Sequence, residues 1–349
     1  CIFPAVLSLA EKNMLSGRKV LVAYIAGMEV IYRVGSSISE YIPRSGWHPT
    51  PIIGTIGAVA ACANILGLNS AQAQNALGIA ASLATGLLKN FGSMTKPMHA
   101  GNAARNGVVA AELAASGFTG NNDIFDGEFS FSQMFGSRTA AGLMGAENDL
   151  NREWRICTEG LAFKPYPSCR STHSSIDAAL WLRNKWDIST DQVADITCKI
   201  SPLHTQLARF HKPETGYQGK FSIPYCVATV LCNGSISLED FTNEKVNNAD
   251  MQELLSKLSF LYPDVDKGTM DLTAEITITL NSGMKYSHRV SLPKGEPANP
   301  MTDEELDVKF LSCSSLILDN NNAQKILNLT RHLEEVKDLI QFFNMLIRS

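Results

Sequence analysis

The sequence predicts a mainly α-helical protein with an inserted α+β domain, and three observations carry that prediction. Apolar residues recur at helical spacing from residue 3 to 116 and again from 302 to 347. Between these stretches, period-two alternation takes over at 194–201 and 272–291. Pro293, Gly295, Pro297 and Pro300 then mark a linker before the helical pattern resumes. The last helices most economically pack back onto the first set, because a lone helical pair cannot bury its apolar stripe. The expected organisation is a helical domain over 1–160, an α+β domain over 161–295, and C-terminal helices over 296–349 that return to the first domain.

In order, residues 3–15 and 17–36 read as helices parted by Ser16-Gly17. Tyr41 to Pro51, with three prolines, is a loop. Helices follow at 52–66, 70–91 and 98–116, with Gly67 as a C-cap and Ser70 as an N-cap. Gly117 ends the third, and 118–137 is a Gly/Phe-rich loop containing a short helix. The texture changes between Trp154 and Pro167. Helix 171–186 leads to strand Ala194–Ser201, a polar loop, and helix 222–233 closed by Gly234. An acidic helix near 248–260 precedes a hairpin of Leu272–Leu280 and Lys285–Ser291, turned at Asn281-Ser282-Gly283. Helices 302–318 and 320–347 finish the chain.

Composition limits the function classes. A length of 349 residues allows one large domain or two ordinary ones. With 45% apolar and 18% charged residues, a substantial core is expected and global disorder is excluded. The net charge of −4, without any Lys/Arg block, argues against a nucleic-acid footprint. Eight cysteines show no CxxC or paired spacing. Cys62, Cys226 and Cys232 lie in apolar runs and read as reduced, buried thiols of a cytosol-like compartment. No apolar run reaches the roughly 18 residues that span a bilayer, so no membrane partner is expected. The expected location is cytoplasmic, or mitochondrial if a transit segment lies upstream. The opening Cys1-Ile2-Phe3-Pro4-Ala5 has no initiator Met and reads like the interior of a protein, so an upstream part is expected.

Metal and cofactor signatures are missing. No HExxH or His/Cys ligand spacing supports a metal. Gly54 to Gly57 and Gly101 to Gly107 are not dinucleotide fingerprints, because no strand precedes either. No GxSxG elbow offers a serine nucleophile. The stretch from Gly46 to Gly107 stands out instead. It is almost free of charge, dense in Ala and Gly, and carries its few polar groups at element ends. Small side chains let helices approach closely, so it reads as a buried hairpin whose ends bring a cation and an imidazole together.

The motifs GWHPT (Gly46–Thr50), MTKPMHAGNAARNG (Met94–Gly107) and FKPYPSCRSTHS (Phe163–Ser174), in this order and spacing, resemble the MmgE/PrpD family. The match runs from Cys1 to the final helix. The resemblance implies a helical domain, a smaller α+β lid, an active site between them and a homodimer, with neither metal nor organic cofactor. It implies a lyase acting on a small di- or tricarboxylate by acid–base proton transfer. The GWHPT turn and the MTKP motif make the chain more similar to the cis-aconitate decarboxylase and epimerase branch than to 2-methylcitrate dehydratases. Epimerisation of the iminodisuccinate kind and dehydration remain alternatives. A truncated chain kept for binding or dimerisation is a further one.

The resemblance transfers residue by residue. His48 matches the histidine of the GWH turn, a proton-transfer group whose ordinary pKa suits either direction; the bland alternative is a histidine bonded to a neighbouring carbonyl. Lys96 matches a lysine that binds a substrate carboxylate, and the alternative is a solvated loop lysine. A lone charge between Met94 and Met98 is expensive to bury unless it meets an anion. His99, one turn further on, either orients the loop or donates to an anion at a helix N-terminus. Arg105 and Asn106 read better as a buried network between helices. Lys164 resembles a second carboxylate-binding lysine. Cys169 stands where the mammalian-type decarboxylase has a histidine and a fungal one has Cys. His173 opens a helix beside them as a pocket-lining candidate. Tyr225 matches a family tyrosine of the lid, and would otherwise read as a core aromatic. An Asp and a His of the family's catalytic set lie shortly before an IxxPA-type segment. Here that segment is Ile2–Ala5, so both are expected upstream of Cys1.

Overall fold

A computed structural model describes residues 1–38, 41–136, 153–263 and 271–346. The chain forms two compact units, one of Cys1–Asn90, Met94–Gly160 and Phe310–Ser349, the other of Phe91–Ser93 and Leu161–Lys309. Residues 296–309, read from the sequence as part of the returning helices, group with the second unit.

The first unit is built on helices α1 (Ile2–Lys12), α2 (Gly17–Ile38), α3 (Pro49–Ile65), α4 (Ser70–Leu83) and α5 (Thr95–Ala115). α3 is apolar all round, which marks a helix with no solvent face, and Pro51 to Val59 are continuously buried. It packs against the other four, so it is the centre of the unit rather than half of a hairpin. Glycine makes this possible. A Cβ on Gly57 would lie 2.3 Å from Ile31 Cγ1, and one on Gly107 would lie 2.6 Å from the Ala58 Cβ. α2 and α5 therefore approach α3 at distances that any larger residue would forbid.

α4 opens on the expected cap. Asn69 rather than Ser70 is the capping residue, exchanging hydrogen bonds with Gln72 in a capping box. It ends at Leu83, not near 91. The carbonyl of Leu83 accepts from Asn106 Nδ2 at 2.9 Å, so a residue of α5 satisfies the helix end that local sequence leaves open. Asn106 is buried as expected, whereas Arg105 is exposed. The short helix expected in 118–137 is Phe131–Phe135, and residue 137 lies outside the described residues.

α2 corrects the expectation that nothing in the chain is long and apolar enough to cross a membrane. It passes on length and on a mean hydropathy of 1.2, because scattered charges break a run without lowering a window average. Its surroundings are those of a core helix: it packs on α1 and α3 and carries a buried ion pair. Glu29 Oε1 accepts from Arg33 Nε at 2.7 Å, and its other oxygen accepts from the Arg155 backbone N–H at 2.8 Å. That second bond places a carboxylate at the first turn of helix Arg155–Thr158.

The C-terminal stretch breaks into Asn320–Arg331, a turn at Leu333–Glu335, and Ile340–Leu346, not one helix to 347. Ile326, Leu333, Leu339 and Phe342 join Ile2, Val6, Val20 and Ala23 in one cluster. A Cβ on Gly17 would fall 1.9 Å from the Leu333 oxygen, so a glycine is required at the start of α2.

The second unit holds a four-stranded sheet in the order β2-β1-β3-β4, with β1 Val193–Ile200, β2 Leu258–Leu261, β3 Ala274–Leu280 and β4 Lys285–Val290. β1 runs parallel to β2 and antiparallel to β3, and β3–β4 is the expected hairpin. Alternation on β3 buries Ala274, Ile276, Ile278 and Leu280. The helices His173–Trp186 and Ile223–Asn233 share the core with these residues. The helix expected over 248–260 stops at Ser256, and its last residues are β2. The expected polar loop contains the short helices Pro202–Leu207 and Gly216–Gly219. All eight cysteines are free thiols. Burial pushes Cys62, Cys198 and Cys226 up to about 12, whereas Cys232, expected to be buried, is exposed.

Candidate active site

The seven candidate residues fall into two sets, one in each unit. His48, Lys96 and His99 belong to the first; Lys164, Cys169, His173 and Tyr225 belong to the second.

In the first set, three segments, around residues 48, 86 and 96–99, converge for reasons written in their sequences. Pro49 and Pro51 start α3, because a proline at the first helical positions gives up no hydrogen bond, and His48 is its N-cap residue. The chain leaving α4 at Ala84 is extended, and it pairs with the turn before α3. The His48 N–H donates to the Gly86 carbonyl at 2.8 Å, and the Leu88 N–H donates to the Gly46 carbonyl at 2.9 Å. Gly86 has φ +155°, and a Cβ there would lie 2.6 Å from Pro51 and 3.2 Å from the His99 ring. Only glycine adopts this backbone beside an imidazole without strain. Sequence reading passed over Gly86; its one signal is a glycine just past a helix end.

α5 begins at Thr95, so Lys96 and His99 both stand in its first turns. His48 and His99 are 4% and 6% exposed. Their Nδ1 atoms are 3.1 Å apart, one donating and the other accepting, with ring centroids at 5.4 Å. Burial, and after it the Lys96 ammonium, hold the His99 imidazole below its ordinary value. Lys96 itself is half-buried. The set therefore combines a fixed cation with two buried imidazoles that exchange a hydrogen bond. That combination can hold a carboxylate and move a proton near it.

In the second set, Lys164 is exposed and its Nζ donates to the Ser168 carbonyl at 3.3 Å. Cys169 is half-buried, and its N–H donates to the Lys220 carbonyl at 2.8 Å. Arg170 forks onto the buried Glu296, with Nε to Oε1 at 2.6 Å. His173 is 2% exposed, and its Nε2 has no hydrogen-bond partner among the described residues. Burial, then the Lys164 charge, drive its pKa down to about 3. Tyr225 lies in the core of its unit. Its ring is fully buried beside Phe241, and its hydroxyl donates to the Asp240 carbonyl. Burial pushes the phenol up to about 12. Among the described residues, the group of side chains grouped closely enough to hold a metal is His332, Glu334 and Glu335, all exposed.

The buried histidines give the fold a pH signature. The unfolded chain protonates His173 as pH falls through about 6.5, whereas the folded chain resists until about 3. The unfolded state binds more protons in that window, so stability falls with pH there, by up to about 1.4 kcal/mol per pH unit. His99 and His204 are lowered too and act in the same direction. Thermal unfolding should move to lower temperature steadily from pH 6.5 to 4, and His173→Gln should flatten the slope. An unchanged slope in that variant would show that His173 is not held neutral.

Comparison with known proteins places this geometry. Residues 1–143 match the MmgE/PrpD N-terminal domain, and residues 166–335 match the MmgE/PrpD C-terminal domain. The chain is 29% identical to Cis-aconitate decarboxylase of Homo sapiens over 349 residues, covering 97% of this chain and 71% of that protein. It is 28% identical to the Cis-aconitate decarboxylase-like protein oryM of Aspergillus oryzae, covering 99% of this chain and 76% of that protein. It is 25% identical to Cis-aconitate decarboxylase of Aspergillus terreus, covering all of this chain and 75% of that protein. Two domain matches in family order, on either side of the change from helical to α+β structure, decide the lineage: this chain belongs to the MmgE/PrpD family.

Proposed function

We propose that the chain is a lyase that decarboxylates a small di- or tricarboxylate, with cis-aconitate as the first substrate to test. The observation that carries this is the buried His48–His99 pair with Lys96 in the first turn of the same helix as His99. Proteins similar to this chain over nearly its whole length are named cis-aconitate decarboxylase, which supports the choice of substrate.

The chemistry needs a cation and a proton. Lys96 binds a substrate carboxylate. When the bond to the departing carboxylate breaks, its electron pair spreads over the neighbouring double bond and the remaining carboxylate, and CO2 leaves. Fixed positive charge lowers the energy of that delocalised anion. A proton from the histidine pair then goes to carbon and ends the reaction. Lys164 and Cys169 are proposed as further carboxylate contacts. A homodimer that works without metal or organic cofactor is part of the same proposal, on the resemblance to the family.

Proton NMR of the reaction in deuterated water tests it. Loss of CO2 with one deuterium placed on carbon is the expected result. Deuterium exchange without carbon loss would replace the proposal by epimerisation. Loss of water with a new double bond would replace it by dehydration.

A further inference from the structure

The contact between His48 and His99 constrains both rings more than a catalytic histidine beside a structural one would. An Nδ1···Nδ1 distance of 3.1 Å is a hydrogen bond, and two imidazoles can make it only with one proton on the bridge. In the neutral pair, one ring carries Nδ1–H and a bare Nε2, while the other carries a bare Nδ1 and Nε2–H. One base and one acid arise from two identical side chains. A second bridging proton would set two N–H groups against each other, so the pair takes up one proton in all and then presents two Nε2–H groups.

We propose that His48 and His99 act as one proton-sharing unit, in which His99 is a positioning residue that fixes the tautomer of His48 and accepts the bridging proton when His48 is charged. The inference rests on the lyase reading for its link to turnover, though not for the pairing itself. The proton count closes. A proton reaching the bare Nε2 of one ring makes it an imidazolium. Its Nδ1 proton crosses the bridge to the other Nδ1, and the first ring is left neutral with Nε2–H. The second ring then releases its Nε2 proton, and the neutral pair is restored with the two roles exchanged. No net charge builds up over the cycle, which matters where both rings are buried.

Two features beyond the distance support this. Gly86 lets the backbone lie close against the His99 ring. Its absent Cβ would lie 3.2 Å from His99 Cγ and Nδ1, and its carbonyl holds the His48 backbone N–H. Lys96, close enough to disfavour a charge on His99, biases the shared proton toward His48. His99 thus passes the positive charge on by releasing its Nε2 proton once it has accepted the bridging one.

The test has two arms on the full chain. In protein labelled with 15N at histidine, which has seven rings, long-range correlation spectra should show His48 and His99 in opposite neutral tautomers, with a 15N–15N coupling across the bridge. The same tautomer on both rings, or no coupling, overturns the pairing. In the second arm, His99→Asn keeps an amide near the Nδ1 position but cannot take up the bridging proton. Its kcat should fall about 10- to 100-fold with KM within about threefold, and the pH profile of kcat should shift. An unchanged kcat and profile overturns the sharing. A fall that comes through KM, matched by His99→Leu, would leave a space-filling role and also overturn it. If the chain turns over no carboxylate, the lyase reading fails by itself and the spectra alone decide on the pair.

Discussion

Lys96→Ala is expected to lower kcat/KM about 10²- to 10³-fold while the protein remains folded. The ammonium sits in the first turn of α5, half-buried, beside an imidazole that its charge perturbs. Removing it leaves a substrate carboxylate without its cation in a poorly hydrated site, a loss of about 3–4 kcal/mol. Lys96→Arg should recover part of the loss, since charge is kept and geometry is not. Steady-state kinetics on the carboxylate that is turned over gives the number, and titration calorimetry with the same ligand shows whether binding is lost too. Near wild-type kcat/KM in Lys96→Ala would remove this residue from the site.

The largest stability effect is expected at Glu29. Its carboxylate is buried, pairs with the equally buried Arg33, and accepts the backbone N–H of Arg155. Glu29→Ala removes the carboxylate that pairs with the buried Arg33 and leaves a helix start without its acceptor. The cost of breaking such a pair from one side is about 3–5 kcal/mol, a large share of what holds an ordinary domain folded. The double variant Glu29→Ala/Arg33→Met should lose less than Glu29→Ala alone, because it also removes the guanidinium that Glu29 pairs with. Urea unfolding of the single and double variants checks this. A loss below about 1 kcal/mol in Glu29→Ala would mean that water reaches the pair.

These two sites differ in how far the sequence revealed them. Lys96, His48 and His99 stood out because charge and imidazole are rare in a stretch of Ala and Gly, and the motifs supplied roles. That His48 and His99 bond to each other was not legible. They are 51 residues apart, and their meeting depends on α5 packing against α3 at Gly107. Glu29 and Arg33 look like any exposed pair four apart on a helix, and nothing local says that the pair is buried.

The same division runs through the fold. The hairpin of β3 and β4 was legible because alternation and an Asn-Ser-Gly turn are local signals. The end of α4 was not. Leu83 is followed by Ala84 and Thr85, which break nothing, and the helix stops because Asn106 takes its carbonyl and Gly86 is claimed by His48. β2 was hidden because its four residues continue the apolar pattern of the helix before it. Tyr225 shows the reverse limit. Its motif named it as a site residue, and its packing makes it part of the core.

One feature of the second unit bears on how its length can vary. The Phe163 N–H donates to the Gly295 carbonyl at 2.7 Å, Asp177 accepts the Lys294 N–H at 2.7 Å, and Arg170 grips Glu296. The segment from Phe163 to Glu296 is thus closed on itself by bonds within the unit, while the unit runs on to Lys309. Those bonds act as a staple across the stretch they close. The entropy of closing the interruption depends on that staple and only weakly on how many residues lie inside it. Changes of length between Phe163 and Gly295 are therefore expected to leave that closure in place.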